Sequence, residues 1–162
     1  MNRKVKIKSG NFSWLIFIVI FGLGAFWDFA TSFLGIVGLF GVTQLNGLGA
    51  IFQSFGVLIT ALIGSLIILG LSLNTEEIWN QNANDTYKIF RNFHLFGIFF
   101  DAYTSYLGTA QNIILRESRT AYITIGVGEV WERLSFEQQI LLLFITALIT
   151  SSPIMISKLW DK

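Results

Sequence analysis

The chain of 162 residues has no cysteine, one proline and one histidine, and only 13% of its residues are charged. The absence of cysteine excludes disulfides, thiolate nucleophiles and sulfur-ligated metal. The single histidine, His94, has no second histidine to share a metal with, so no metal site is expected and a structural hydrogen bond is the ordinary role. Soluble domains carry about 25% charged residues, and this chain falls well short. Neither sign of charge dominates, with a net charge of +1, and the basic residues are scattered, so nucleic acid is not an expected partner. No phosphate-cradling glycine loop, zinc-helix motif or serine-histidine-acid constellation is present. Neither enzyme activity nor a cofactor is therefore expected.

What the chain has instead is apolar length, with 53% hydrophobic residues. A helix crossing a hydrocarbon core of about 30 Å needs roughly 20 mostly apolar residues. Four stretches qualify, at about 14–37, 48–73, 89–115 and 136–157. The basic residues Arg3, Lys4, Lys6 and Lys8 ahead of the first stretch resemble the start of a secretory signal. That stretch runs past signal length, however, and is expected to stay as a true span.

Two phrases recur. Trp27-Asp28-Phe29-Ala30-Thr31-Ser32-Phe33-Leu34-Gly35 is answered by Phe100-Asp101-Ala102-Tyr103-Thr104-Ser105-Tyr106-Leu107-Gly108, and Ile59 to Ser65 shares six of seven residues with Ile145 to Ser151. The offsets are 101 − 28 = 73 and 145 − 59 = 86, which places 13 extra residues in the loop between the third and fourth stretches. Two repeats in the same order predict a duplicated two-helix hairpin. Basic residues near span ends count eight on one side (Arg3, Lys4, Lys6, Lys8, Lys88, Arg91, Lys158, Lys162) and three on the other (Arg116, Arg119, Arg133). The larger group marks the cytoplasmic side, so both termini are expected there and the hairpins enter as parallel repeats. The expected fold is one all-α membrane domain of four transmembrane helices, in a bacterial inner membrane.

Local signals agree with these limits. Ser135 to Gln138 reads as a capping box opening the last span, and Pro153 lies near its end, where Thr150 is placed to repair the break. Asn74 is positioned to cap a short helix containing Glu76 and Glu77 within a polar connector reaching Tyr87.

The recurring aspartates are the candidate functional groups. A charged side chain at mid-bilayer costs roughly 2.5–3.5 kcal/mol on insertion scales, so it turns to a partner, a cavity or a path. Residues three, four and seven apart share a helix face, which gathers Asp28 with Thr31, Ser32 and Gly35, and Asp101 with Thr104, Ser105 and Gly108. His94, Gln111 and Asn112 extend the second stripe along its helix. Two ionised carboxylates at low dielectric repel each other, so a proton, a shared proton, a hard cation or an external partner is required. Asp28, Thr31, Ser32, Asp101, Thr104, Ser105, His94, Gln111 and Asn112 are thus expected to bind or pass a proton or small cation. Gly35, Gly108, Gly56, Thr60 and Gly64 are expected to serve close helix packing. The competing expectation is a non-conducting assembly subunit whose polar stripe only packs helices. Either role suits a homo-oligomer or a subunit among other membrane proteins, because four spans enclose little space.

Thr124-Ile125-Gly126-Val127-Gly128 resembles the T-x-G-x-G filter of potassium channels over those five residues. The charged stretch Arg116-Glu117-Ser118-Arg119 before it suits water better than a pore helix, so a loop with turn glycines is expected. The G-x-G-D sequence of intramembrane aspartyl proteases is missing around both aspartates.

Overall fold

A computed structural model describes residues 12–40, 49, 52, 54–79, 85–115 and 123–160. The N-terminal basic cluster, most of the loop around Gly38 to Gly47, the start of the second expected span, Arg116, Arg119 and Lys162 lie outside these residues. Among the described residues the chain is helical almost throughout and contains no strand. The helices are α1 (Phe12–Leu39), α2 (Phe55–Leu73), α3 (Thr75–Trp79), α4 (Asp85–Thr109), α5 (Val127–Arg133) and α6 (Phe136–Trp160). α4 runs on into a wider π-helical turn, Ala110–Ile114, closed by Leu115 N–H donating to the Ala110 carbonyl at 2.8 Å.

Among the described residues three helices are long and apolar enough to cross a membrane: Trp14–Leu39, Phe55–Leu73 and Phe136–Leu159. α4 is as long as α6 but begins with Asp85 and carries Arg91, Asn92 and His94 in its first half, which keeps it out of that group. Its start also lies four residues ahead of the expected 89.

The packing is inverted relative to a water-soluble bundle. Leu23 and Phe26 on α1, Ile63 and Ile67 on α2, and Leu141 and Phe144 on α6 are exposed, while Asp28, Ser65, Asp101, Thr104 and Thr146 are buried. Apolar side chains find nothing to gain by clustering when the surroundings are hydrocarbon, whereas polar ones must find each other. This arrangement and the three apolar helices mark a membrane protein.

α1 lies at the centre, packed against α2, α4 and α6. It comes close to α6 at Gly24, where a Cβ atom would meet the Ser152 Cβ at 2.9 Å. An apolar core gathers Tyr106, Leu107 and Ala110 with Ile125, Val130, Leu134 and Leu142. It fastens the 123–134 segment to the end of α4 and the start of α6.

The capping box at α6 is formed, with Ser135 N–H donating to Gln138 Oε1 at 2.9 Å and Gln138 N–H to Ser135 Oγ at 3.4 Å. Asn74 acts differently from expectation. Its Nδ2 and its backbone N–H both donate to the Gly70 carbonyl, at 2.7 and 3.1 Å, so it closes α2 and its side chain does not open α3. Carbonyls left over at the end of an apolar helix need donors more than the short α3 needs an acceptor. Pro153 is buried inside α6, yet the Thr150 hydroxyl makes no hydrogen bond among the described residues, so it does not perform the expected repair. The second recurring phrase also behaves unequally. α2 buries Ala61 and Ser65, whereas α6 buries Thr146 and Ile149, so the two copies turn different faces inward.

Candidate functional site

The two aspartate phrases meet where α1 packs against α4. Ser105 Oγ donates to Asp28 Oδ1 at 2.8 Å, and Ser32 Oγ donates to Asp101 Oδ1. Thr31 and Ser105 hydroxyls are 2.8 Å apart, and those of Ser32 and Thr104 are 3.1 Å apart. Each serine has one hydroxyl proton and commits it to a carboxyl oxygen. Each threonine also has a single proton, shared between the serine oxygen and a carbonyl of its own helix that can only accept, Asp28 for Thr31 and Asp101 for Thr104. Two matching chains result, Thr31 to Ser105 to Asp28 and Thr104 to Ser32 to Asp101.

These contacts exchange with one another under the sequence offset, since 101 − 28, 104 − 31, 105 − 32 and 108 − 35 all equal 73. The steric contacts follow the same rule. A Cβ on Gly35 would lie 2.9 Å from the Thr104 Cβ, and one on Gly108 would lie 2.6 Å from Thr31 Cγ2. Hydrogen bonds at these lengths across two helices need backbones that nearly touch, which only glycine permits at those two positions. Trp27 breaks the pairing. Its indole N–H donates to Thr109 Oγ1 at 3.1 Å, while its counterpart Phe100 has no donor to offer.

Both carboxyl groups are withdrawn from the surroundings, with Asp28 2% and Asp101 1% exposed. Both belong to one buried group, with Ser32 donating to Asp101 from one turn beyond Asp28 and Ser105 donating to Asp28 from one turn beyond Asp101. Asp101 Oδ2 is buried and receives no N–H or O–H among the described residues. Among those residues, too, no third acidic or histidine side chain joins them in a cluster able to hold a metal ion.

The other expected site residues lie apart from this centre. His94 is buried about two turns before Asp101 on α4, where Trp79 Nε1–H donates to its Nδ1 at 3.1 Å and its Nε2 is 2.8 Å from Thr75 Oγ1. An indole can only donate, so Nδ1 is the acceptor and Nε2 carries the proton, passing it toward Thr75. Thr75 in turn donates to the Ser72 carbonyl at 2.7 Å. Arg91 donates to the Ile78 carbonyl at 2.9 Å and lies 5.6 Å above the Trp79 ring. The group pins α3 against α4, as a structural histidine would.

Gln111 turns to the 123–126 segment, its Oε1 accepting from Thr124 N–H at 2.7 Å and from Ile125 N–H at 3.4 Å. Asn112 donates back to the Gly108 carbonyl at 2.9 Å. Thr124 and Ile125 thus present N–H groups to a side chain, and Val127 already begins α5, so the stretch resembling a filter is a loop leading into a helix. Of the three α2 packing residues, only Gly64 meets another helix, with its Cβ position 2.8 Å from Ile36 Cδ1. Gly56 and Thr60 face outward, because the inward row of α2 runs through Ala61, Ser65 and Ser72. The Thr60 hydroxyl bonds to the Gly56 carbonyl one turn back, at 2.8 Å.

Residue spacing did not point to Trp27, Thr109, Thr75 or Trp79. The usable signal was chemical: an indole N–H in an apolar stretch requires an acceptor, and Trp27 precedes the aspartate directly.

Comparison with family models, with curated proteins and with solved structures gives no match for this chain. Any functional reading therefore rests on the geometry above.

Proposed function

We propose that this protein is a non-conducting structural subunit of a membrane assembly, in which the aspartate and hydroxyl stripe locks two spanning helices together. The observation that carries the reading is the burial of the contact: both carboxyl groups sit within a helix interface, and each accepts at Oδ1 from a hydroxyl of the facing helix. A conduction path would need polar groups leading away from them. His94, Gln111 and Asn112 are instead occupied with α3, the 123–126 segment and their own helix.

In this reading α1, α2, α4 and α6 all span the bilayer, α4 turning its polar face of Asp101, Thr104 and Ser105 to α1 and its exposed Phe93, Phe96 and Phe99 to lipid. The chain is two parallel hairpins with both termini cytoplasmic, in a bacterial inner membrane, and works as a homo-oligomer or beside other membrane subunits. The aspartate phrases support the repeat through their exchangeable contacts. The Ile59 and Ile145 phrases support it through sequence only, since they bury different faces.

Reconstituted liposomes test this. Proton and sodium flux is expected at background for the parent protein, and the detergent particle is expected to have the mass of several chains. Flux above background that Asp28→Asn or Asp101→Asn abolishes would replace this reading with a proton or small-cation pathway through the same residues.

A further inference from the structure

We infer that the Asp28 and Asp101 carboxyls form a binding site for a single proton, held between them and closed to metal cations. The inference rests on the packing role proposed for the same residues and specifies the ligand that makes that packing possible.

The bookkeeping of donors leads there. Oδ1 of each aspartate is served by one serine hydroxyl from the opposite helix. The two threonine protons are directed to the serines and to the carbonyls one turn back, where Thr31 reaches the Asp28 carbonyl at 3.0 Å and Thr104 the Asp101 carbonyl at 3.1 Å. No hydroxyl proton remains for Asp101 Oδ2, which is buried and receives none of the described N–H or O–H groups. The other carboxyl group belongs to the same buried contact, since Ser32, which serves Asp101, stands one turn from Asp28, and Ser105, which serves Asp28, stands one turn from Asp101. Two ionised carboxyl groups within one buried helix contact repel each other, and a single proton shared by the pair removes the repulsion.

A metal ion does not fit the same space. Calcium takes six to eight oxygen ligands and magnesium needs a near-octahedral set. Here no third acid among the described residues joins the two carboxyl groups, and their Oδ1 atoms already face hydroxyl protons. The helices also meet so closely, at Gly35 and Gly108, that one extra methyl group would collide with a threonine. A proton needs no such room.

The infrared spectrum of the parent protein in detergent at neutral pH tests the inference. The C=O stretch of a protonated carboxylic acid is expected, shifting in D2O, with an amplitude of one group per chain, unchanged by sodium or calcium. In Asp28→Asn, and equally in Asp101→Asn, this band should vanish completely. An asparagine amide supplies the N–H that the remaining carboxylate needs, so each variant should keep the parent's elution volume. Three results would overturn the inference: no such band in the parent, a band that only halves in each variant, or a band removed by sodium or calcium. The parent spectrum alone decides the point should a variant fail to fold. A monomeric particle mass would remove the assembly reading and leave this result untouched.

Discussion

Gly35→Leu is expected to separate α1 from α4 and leave little folded protein. Even one methyl at this position lies 2.9 Å from the Thr104 Cβ, a backbone-anchored atom that cannot swing aside. Overpacking of this kind costs about 1–3 kcal/mol and occasionally more. The loss here is compounded, because pushing the helices apart also breaks the four hydroxyl contacts on either side. Gly108→Ala should be milder. Its Cβ would meet chiefly Thr31 Cγ2 at 2.6 Å, with the Thr31 Cβ farther off at 3.1 Å. Thr31→Ser removes that methyl and keeps the hydroxyl, so Gly108→Ala with Thr31→Ser should recover most of the thermal midpoint lost by Gly108→Ala. The corresponding rescue of Gly35→Ala by Thr104→Ser should be partial. Thermal unfolding followed by size-exclusion of the detergent-solubilised protein reads all four.

The second large effect is expected from Ser32→Ala combined with Ser105→Ala. Each change strips a carboxyl oxygen of its only serine donor, and an unsatisfied buried acceptor costs about 1–3 kcal/mol. Because the two serines also receive the threonine protons, their removal disconnects both chains at once. The double variant should therefore lose a few kcal/mol, enough to unfold a protein of ordinary stability. Asp28→Asn, by contrast, replaces a carboxyl by an amide of the same shape and should change stability little. An equal loss in Asp28→Asn and in the double serine variant would mean that charge, and not hydrogen-bond supply, governs this contact.

The helical, membrane-embedded character and the pairing of stripes were legible in the residues themselves. An aspartate followed by Thr-Ser and then Gly at helical spacing, written twice in apolar surroundings, leaves few alternatives to a shared interior face. Other features depend on which neighbour a face meets, and periodicity is silent there. Ala61 and Ala147 occupy the same place in matching phrases, yet only Ala61 is buried, because the rotation of each helix is set by its partners. His94 looked like the first member of the polar stripe, but its partners come from a five-residue helix in what reads as a solvated connector. Gln111 and Asn112 extend the same stripe by spacing alone. The π-helical turn beginning at Ala110 shifts the register there, and each side chain closes on a nearby backbone.

The central claim is that hydroxyls of the two aspartate phrases touch within one chain. The protein has no cysteine, so a pair introduced by Thr31→Cys with Ser105→Cys is the only one that can be oxidised. The replaced hydroxyls are 2.8 Å apart, within reach of a disulfide after a small adjustment. Mild oxidation in the membrane should convert nearly all of the protein to an internally bridged chain that still runs as a monomer on a denaturing gel. Free thiols after oxidation, or bridges joining two chains, would contradict the account.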